Sequence, residues 1–175
     1  MPTIVISGPP GSGKSTVAKM LSELLNLPVI SAGSIFRSIA REMGMDLVKF
    51  NEYAKENPRI DIEIDLRTLK ASIEGNVIIE GHLTAWVAPK ADLKVYLTAP
   101  IRVRAKRIAK RDGIDEEEAM FSILEREKAH WERFKALYGI DITDLSPFDL
   151  VVDTSKFRPE EISNMIISYI KRSYS

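Results

Sequence analysis

The stretch Gly8-Pro9-Pro10-Gly11-Ser12-Gly13-Lys14-Ser15 constrains this chain more than any other part of it. It satisfies G-x-x-x-x-G-K-[ST], the pattern of a loop that cradles phosphate groups. Its flanks agree. Thr3-Ile4-Val5-Ile6-Ser7 is a β-branched run bounded by glycine, which reads as a buried strand. Val17, Met20, Leu21, Leu24 and Leu25 recur at helical spacing, and Asn26 and Pro28 close that helix. Between such elements the glycines let backbone N–H groups curl around an anion, and the helix N-terminus adds favourable dipole charge. Gly8 through Thr16 are therefore the expected nucleotide-binding residues. Lys14 should reach the β/γ-phosphates, and the Ser15 hydroxyl should face Mg²⁺. The bland alternative, a glycine-rich turn with no ligand, fits the spacing and context less well.

Further along, Pro28–Gly33, Asn76–Gly81, Leu93–Pro100 and Phe148–Ser155 read as four more short strands. Residues 34–72 are polar, mostly helical, and interrupted by Gly44 and Pro58. Residues 101–112 hold six basic side chains and one acid. Asp115 is an N-cap candidate for a helix running to about Tyr138, and Pro159 suits the start of a last helix. Buried strands alternating with helices predict an α/β fold of the P-loop NTPase kind: a five-stranded, mainly parallel sheet with helices on both faces. One domain is expected. Its core covers about 1–33, 73–100 and 139–175, with a helical insert at about 34–72 and a lid region at about 101–125.

Composition removes several classes of function. Lys+Arg and Asp+Glu are both 25, so the formal net charge is zero, which argues against a long polyanionic partner such as nucleic acid. The chain has no Cys, which excludes disulfides, thiolate metal sites and Cys nucleophiles. With His82 and His130 as the only histidines, a His-rich metal centre is excluded too. The N-terminus lacks the basic start and apolar length of a signal peptide, and no run is long enough for a membrane span. The expectation is a cytoplasmic protein, a monomer, with small-molecule partners and no membrane.

A phosphate loop alone specifies nucleotide, not reaction. The base-reading and switch motifs of a GTPase are absent, which leaves a small kinase as the leading reading. Phosphoryl transfer is catalysed by positioning and by neutralising charge on phosphate oxygens, so arginines matter. Arg104, Arg107 and Arg111 share nearly one helical face, and Arg126 and Arg133 are two turns apart on another helix. A solvated basic face is the plain alternative for any one of them. Glu80 and Gly81 end the third strand, at the sheet edge where ligands bind in parallel α/β folds. His82 follows; a histidine there is expected to be partly cationic near neutral pH. Ser34, Asn51, Asp61 and Asp65 are candidates for base contacts.

Taken together, the chain resembles the nucleoside monophosphate kinases, and within them the archaeal-type cytidylate kinases. The resemblance is carried by GPPGSGKS, ISAGSIFR at 30–37, EGHLTAW at 80–86, ADLKVYLTAP at 91–100, RIAKRDG at 107–113, REKAHWERF at 126–134, YGIDI at 138–142 and DLVVDTS at 149–155. It implies ATP and Mg²⁺ as the donor system, CMP or dCMP as acceptor, and CDP and ADP as products. It implies that the insert binds the monophosphate and that the lid moves. Arg37 is then implied to grip the monophosphate, Arg107 and Arg111 to approach the ATP phosphates, and Arg126 and Arg133 to reach the transferred phosphate and the cytidylate. Asp153, Thr154 and Ser155 are implied to lie at the ATP base. One position departs: similar kinases usually carry Arg after E-G or D-G, and here it is His82, shorter and with fewer donors. The rival readings are a same-scaffold kinase for UMP, AMP or a non-nucleotide, and an ATP-binding regulatory protein.

Overall fold

The structure is a computed structural model and describes residues 2–173. Five strands form its centre: β1 (Ile4–Ser7), β2 (Val29–Ser31), β3 (Ile78–Glu80), β4 (Leu93–Thr98) and β5 (Leu150–Asp153). They lie in the order β2-β3-β1-β4-β5, and all four pairings are parallel. β1 sits in the middle, with Ile4 opposite Ile78 on one side and Leu93 on the other. A central strand covered on both faces is mostly apolar, and all four of its residues are buried, the terminal Ser7 with its hydroxyl paired to Thr84 Oγ1 and the Ala85 N–H.

Successive side chains of β1 serve opposite layers. Ile4 and Ile6 join Val17, Ala18 and Leu21 of α1 (Lys14–Leu25) and Ile162, Ile166 and Ile170 of α8 (Pro159–Ser173). Val5 faces Val77, Ile79, Ala85 and Ala88 on the other side, around the short α5 (Thr84–Val87). Of the apolar stripe expected on α1, Val17 and Leu21 are buried, whereas Leu24 is exposed.

The polar segment between β2 and β3 forms three helices: α2 (Ala32–Glu42), α3 (Leu47–Glu56) and α4 (Arg59–Glu74). Their breaks fall at the expected residues. Gly44 takes φ 65°, and Pro58 stands at the N-cap of α4. β2 is shorter than its apolar run suggested. Ser31 and Ser34 close a reciprocal capping box, so Ala32 and Gly33 already belong to α2. Phe50, fully buried, fills a small core with Ile35, Ile39 and Ala40.

After β4 the basic stretch is α6 (Ile101–Asp112), ended by Gly113 at φ 70°. Asp115 caps α7 (Glu116–Tyr138) by accepting from the Glu118 N–H at 2.8 Å. α6 and α7 pack through Ala105, Ile108, Ala109, Ala119 and Ile123. Among the described residues no helix is long and apolar enough to cross a membrane.

Candidate active site

The glycine loop leaves the carboxyl end of β1 and is pressed between two elements. A Cβ on Gly8 would lie 2.1 Å from the Leu97 carbonyl oxygen of β4. A Cβ on Gly11, at φ 76°, would lie 2.8 Å from the Arg104 carbonyl oxygen of α6. No other residue fits either place.

A collar of side chains holds the loop open. The carbonyls of residues 8 to 12 each have a side-chain partner. The Gly8 carbonyl is 2.7 Å from His82 Nδ1. The Pro9 carbonyl accepts from Lys14 Nζ at 2.9 Å, and the Pro10 carbonyl from Arg104 Nη1 at 3.3 Å. The Gly11 carbonyl accepts from Arg107 Nη1 at 3.1 Å, and the Ser12 carbonyl from Thr154 Oγ1 at 2.8 Å. The N-cap of α1, Gly13, has no side chain to cap the helix, so the first-turn amides stay available to an anion.

These contacts revise several roles expected from sequence. Arg104 is buried and bonded to the Ala99 and Pro10 carbonyls and to Glu127, so it braces the loop from behind. Arg107 borders the cleft, yet its guanidinium is tied to Gly11, the Thr154 hydroxyl and the Thr154 carbonyl. Thr154 is buried beneath the loop, and Asp153 accepts from the Ser155 N–H and hydroxyl. In this conformation residues 153–155 shape the loop and turn, not a surface for a base. Ser34 is occupied by its capping box, and Asn51 is exposed on α3, outside the residues lining the cavities described here.

The loop opens into a cleft of about 590 Å³. Lys14, Arg107, Arg111 and Arg126 line it, with Glu80 as the carboxylate in the lining. Burial, together with the positive charges of Arg126, Arg104 and Arg111, holds Lys14 down at about 8, against the pull of Glu80. Ser15 Oγ donates to Glu80 Oε1 at 3.2 Å, pairing a hydroxyl and a carboxylate at the mouth of the loop. Arg37 is exposed on α2, its Nη1 3.4 Å from where a Cβ of Gly33 would stand, and Gly33 borders the cleft.

A second compartment of about 280 Å³ adjoins the first through Ala32, Gly81 and His82. Arg133 stands in its wall, 3.3 Å from Asp65 and 3.9 Å from Asp61. Tyr138 Oη donates to Asp65 at 2.5 Å. Burial raises the Asp65 carboxyl, and burial with the Asp65 bond pushes Tyr138 up to about 12. Asp61 and Asp65 thus join α4 to Arg133 and Tyr138 of α7. Tyr138 was not singled out from the sequence, although it stands one helical turn and a half beyond Arg133.

His82 departs most from expectation. Burial first, then the charges of Lys14 and His130, hold it down at about 2, so the imidazole is neutral, not partly cationic. His130 lies ring to ring with it at 4.5 Å.

Comparison with known proteins bears on the whole of this arrangement. The profile of the cytidylate kinase-like family matches residues 3–156. A cytidylate kinase of Ignicoccus hospitalis is 54% identical over 167 residues, covering 95% of this chain and 97% of that one. A cytidylate kinase of Sulfolobus acidocaldarius is 52% identical, covering 97% and 94%. Among solved structures, a shikimate kinase from Bacteroides thetaiotaomicron superposes with TM-score 0.64 at 16% identity, covering 97% of this chain and 98% of that one. That likeness is one of fold.

Proposed function

The chain belongs to the cytidylate kinase-like family, and from that premise we propose that it transfers the γ-phosphoryl group of ATP to CMP or dCMP, giving CDP and ADP. One observation carries the reading. A cationic cleft built on a phosphate loop shares the wall Ala32–Gly81–His82 with a smaller compartment whose charged groups are Asp61, Asp65 and Arg133. Two ligands can therefore meet end to end across that shared wall, where Arg126 of the larger cleft lies 3.5 Å from His82 Nε2.

In this reading the amides of the loop and of the first turn of α1, with Lys14, hold the β- and γ-phosphates of ATP. Lys14 leaves the Pro9 carbonyl for the phosphates, whose negative charge restores its proton affinity. Arg111 and Arg126 face charge that spreads over the oxygens of the transferred group. The attacking oxygen belongs to a phosphate monoester, already anionic near neutral pH, so no general base is required. Ser15 and Glu80 fit Mg²⁺, which takes hard oxygen donors and commonly one or two carboxylates beside its phosphates and waters. When bound, it neutralises phosphate oxygens of the donor.

The smaller compartment suits cytosine by charge. Asp65 accepts, and cytosine offers an amino group where uracil offers an oxygen. Arg133 donates to the base acceptors beside that group. The α2–α4 segment then serves as the monophosphate-binding insert. The outer part of α6 and the start of α7 serve as the lid, excluding water that would otherwise hydrolyse ATP.

The test is an ADP-release assay with CMP, dCMP, UMP, AMP and GMP as acceptors. CMP is expected to give the highest kcat/KM, with little ADP released before acceptor is added. Failure of all five acceptors to stimulate turnover would sink the reading.

A further inference from the structure

His82 lies where three cavities meet. It lines the phosphate cleft, the acceptor compartment, and a third cavity of about 470 Å³ behind the loop, walled by Trp86, Tyr96 and Trp131.

Its two ring nitrogens meet partners of opposite character. Nδ1 is 2.7 Å from the Gly8 carbonyl oxygen, which only accepts. Nε2 is 3.5 Å from Nη2 of Arg126, which only donates. A neutral imidazole has one N–H and one lone pair. The Gly8 carbonyl claims the N–H for Nδ1, and the guanidinium claims the lone pair of Nε2. A second proton on Nε2 would point at a permanent positive charge.

Lys14 faces the ring from α1, and Arg126 and His130 face it from α7. Across the acceptor compartment stand Arg133 of α7 and Asp61 and Asp65 of α4, with both aspartates directed to Arg133. The His130 ring covers one side of the His82 ring at 4.5 Å between centroids.

We propose that His82 is a positioning residue, a link with its Nδ1–H on the first carbonyl of the phosphate loop and its Nε2 lone pair on the Arg126 guanidinium. The link fixes the distance between the donor cradle and the arginine at the transfer point. It rests on the kinase reading above, in which Arg126 meets the transferred phosphoryl group. Displacing such a group by about an ångström can cost on the order of 100-fold in rate.

The test has two arms. The first is a double-mutant cycle on kcat with His82→Ala, Arg126→Ala and the pair. If His82 acts through Arg126, His82→Ala lowers kcat by about 100-fold alone, with KM for ATP and CMP within about threefold, and adds less than twofold to Arg126→Ala. An equal loss in both backgrounds would overturn the link. The second arm needs no substrate and no variant. ¹⁵N spectra of the wild-type imidazoles at pH 7.5 are expected to show His82 protonated at Nδ1 and bare at Nε2. The opposite tautomer would overturn it as well. An acceptor panel without turnover defeats the kinase reading, while the spectra decide the tautomer on their own.

Discussion

The two halves of the site are held by different means. The donor half is a short contiguous loop gripped by a collar: His82, Lys14, Arg104, Arg107 and Thr154 reach its carbonyls from four separate parts of the fold. The acceptor half has no such collar. Its charged groups come from two helices, α4 and α7, joined through Asp65, Arg133 and Tyr138. Its outer surface is tied by Arg67, which bonds Glu63 on its own helix and both carboxylate oxygens of Glu42 on α2. Exposed Leu47, Val48, Ile62 and Leu66 are also on this side. Few buried contacts and exposed ion pairs mark the kind of region that moves at low cost. The phosphate loop is therefore the more tightly braced of the two regions.

Substitutions can separate the halves. Lys14→Ala removes the charge at the donor phosphates and should lower kcat/KM for ATP by about a thousandfold, a size common for a lost transition-state charge contact. Retained CMP phosphorylation in steady-state assays would undo the assignment of the loop. Asp65→Asn should act on the other half. It should raise KM for CMP by about ten- to a hundredfold and shrink the preference for CMP over UMP, while KM for ATP stays within about twofold. Equal changes in both KM values would show the two compartments to be one mechanical unit.

Thr154→Val keeps the shape but takes the hydroxyl from the Ser12 carbonyl and from Arg107. A buried carbonyl left without its donor costs about 1–3 kcal/mol, so KM for ATP should rise by about tenfold with KM for CMP unchanged. The smallest effect concerns pH. Lys14 is charged below about 8 and neutral above it, and phosphate binds the charged form. ATP affinity should fall severalfold from pH 7.5 to pH 9, with proton uptake on binding measurable by calorimetry in two buffers. Affinity for CMP should change less over that range, and a flat ATP curve would mean that Lys14 keeps its proton throughout.

The donor half was readable because its information is local. Gly8 to Ser15, a β-branched run before and an apolar stripe after suffice to place strand, loop and helix. Gly44, Pro58 and Asp115 punctuated the helices for the same reason. The acceptor half was only partly readable. Asp61 and Asp65 show as a pair one turn apart, but that Arg133 and Tyr138 come to meet them depends on how α4 and α7 cross the sheet. Spacing cannot convey that. The charge state of His82 was misread because a histidine's proton is decided by burial and by Lys14, 68 residues earlier in the chain. Likewise Arg104 and Arg107 look like any basic helical face in sequence. Contact with the Pro10 and Gly11 carbonyls is what turns them into supports.

The collar has a consequence for how the protein comes into being. The signature of the phosphate loop is complete by residue 15, yet four of the five groups that hold it arrive later, at positions 82, 104, 107 and 154. A nascent chain emerging from its N-terminus would carry the loop's whole sequence long before it carried the loop's shape. Nucleotide capture would then wait for β5, which pairs beside β4 and brings Thr154 beneath Ser12. The last strand of the sheet to be synthesised is in this sense the one that switches on the first motif.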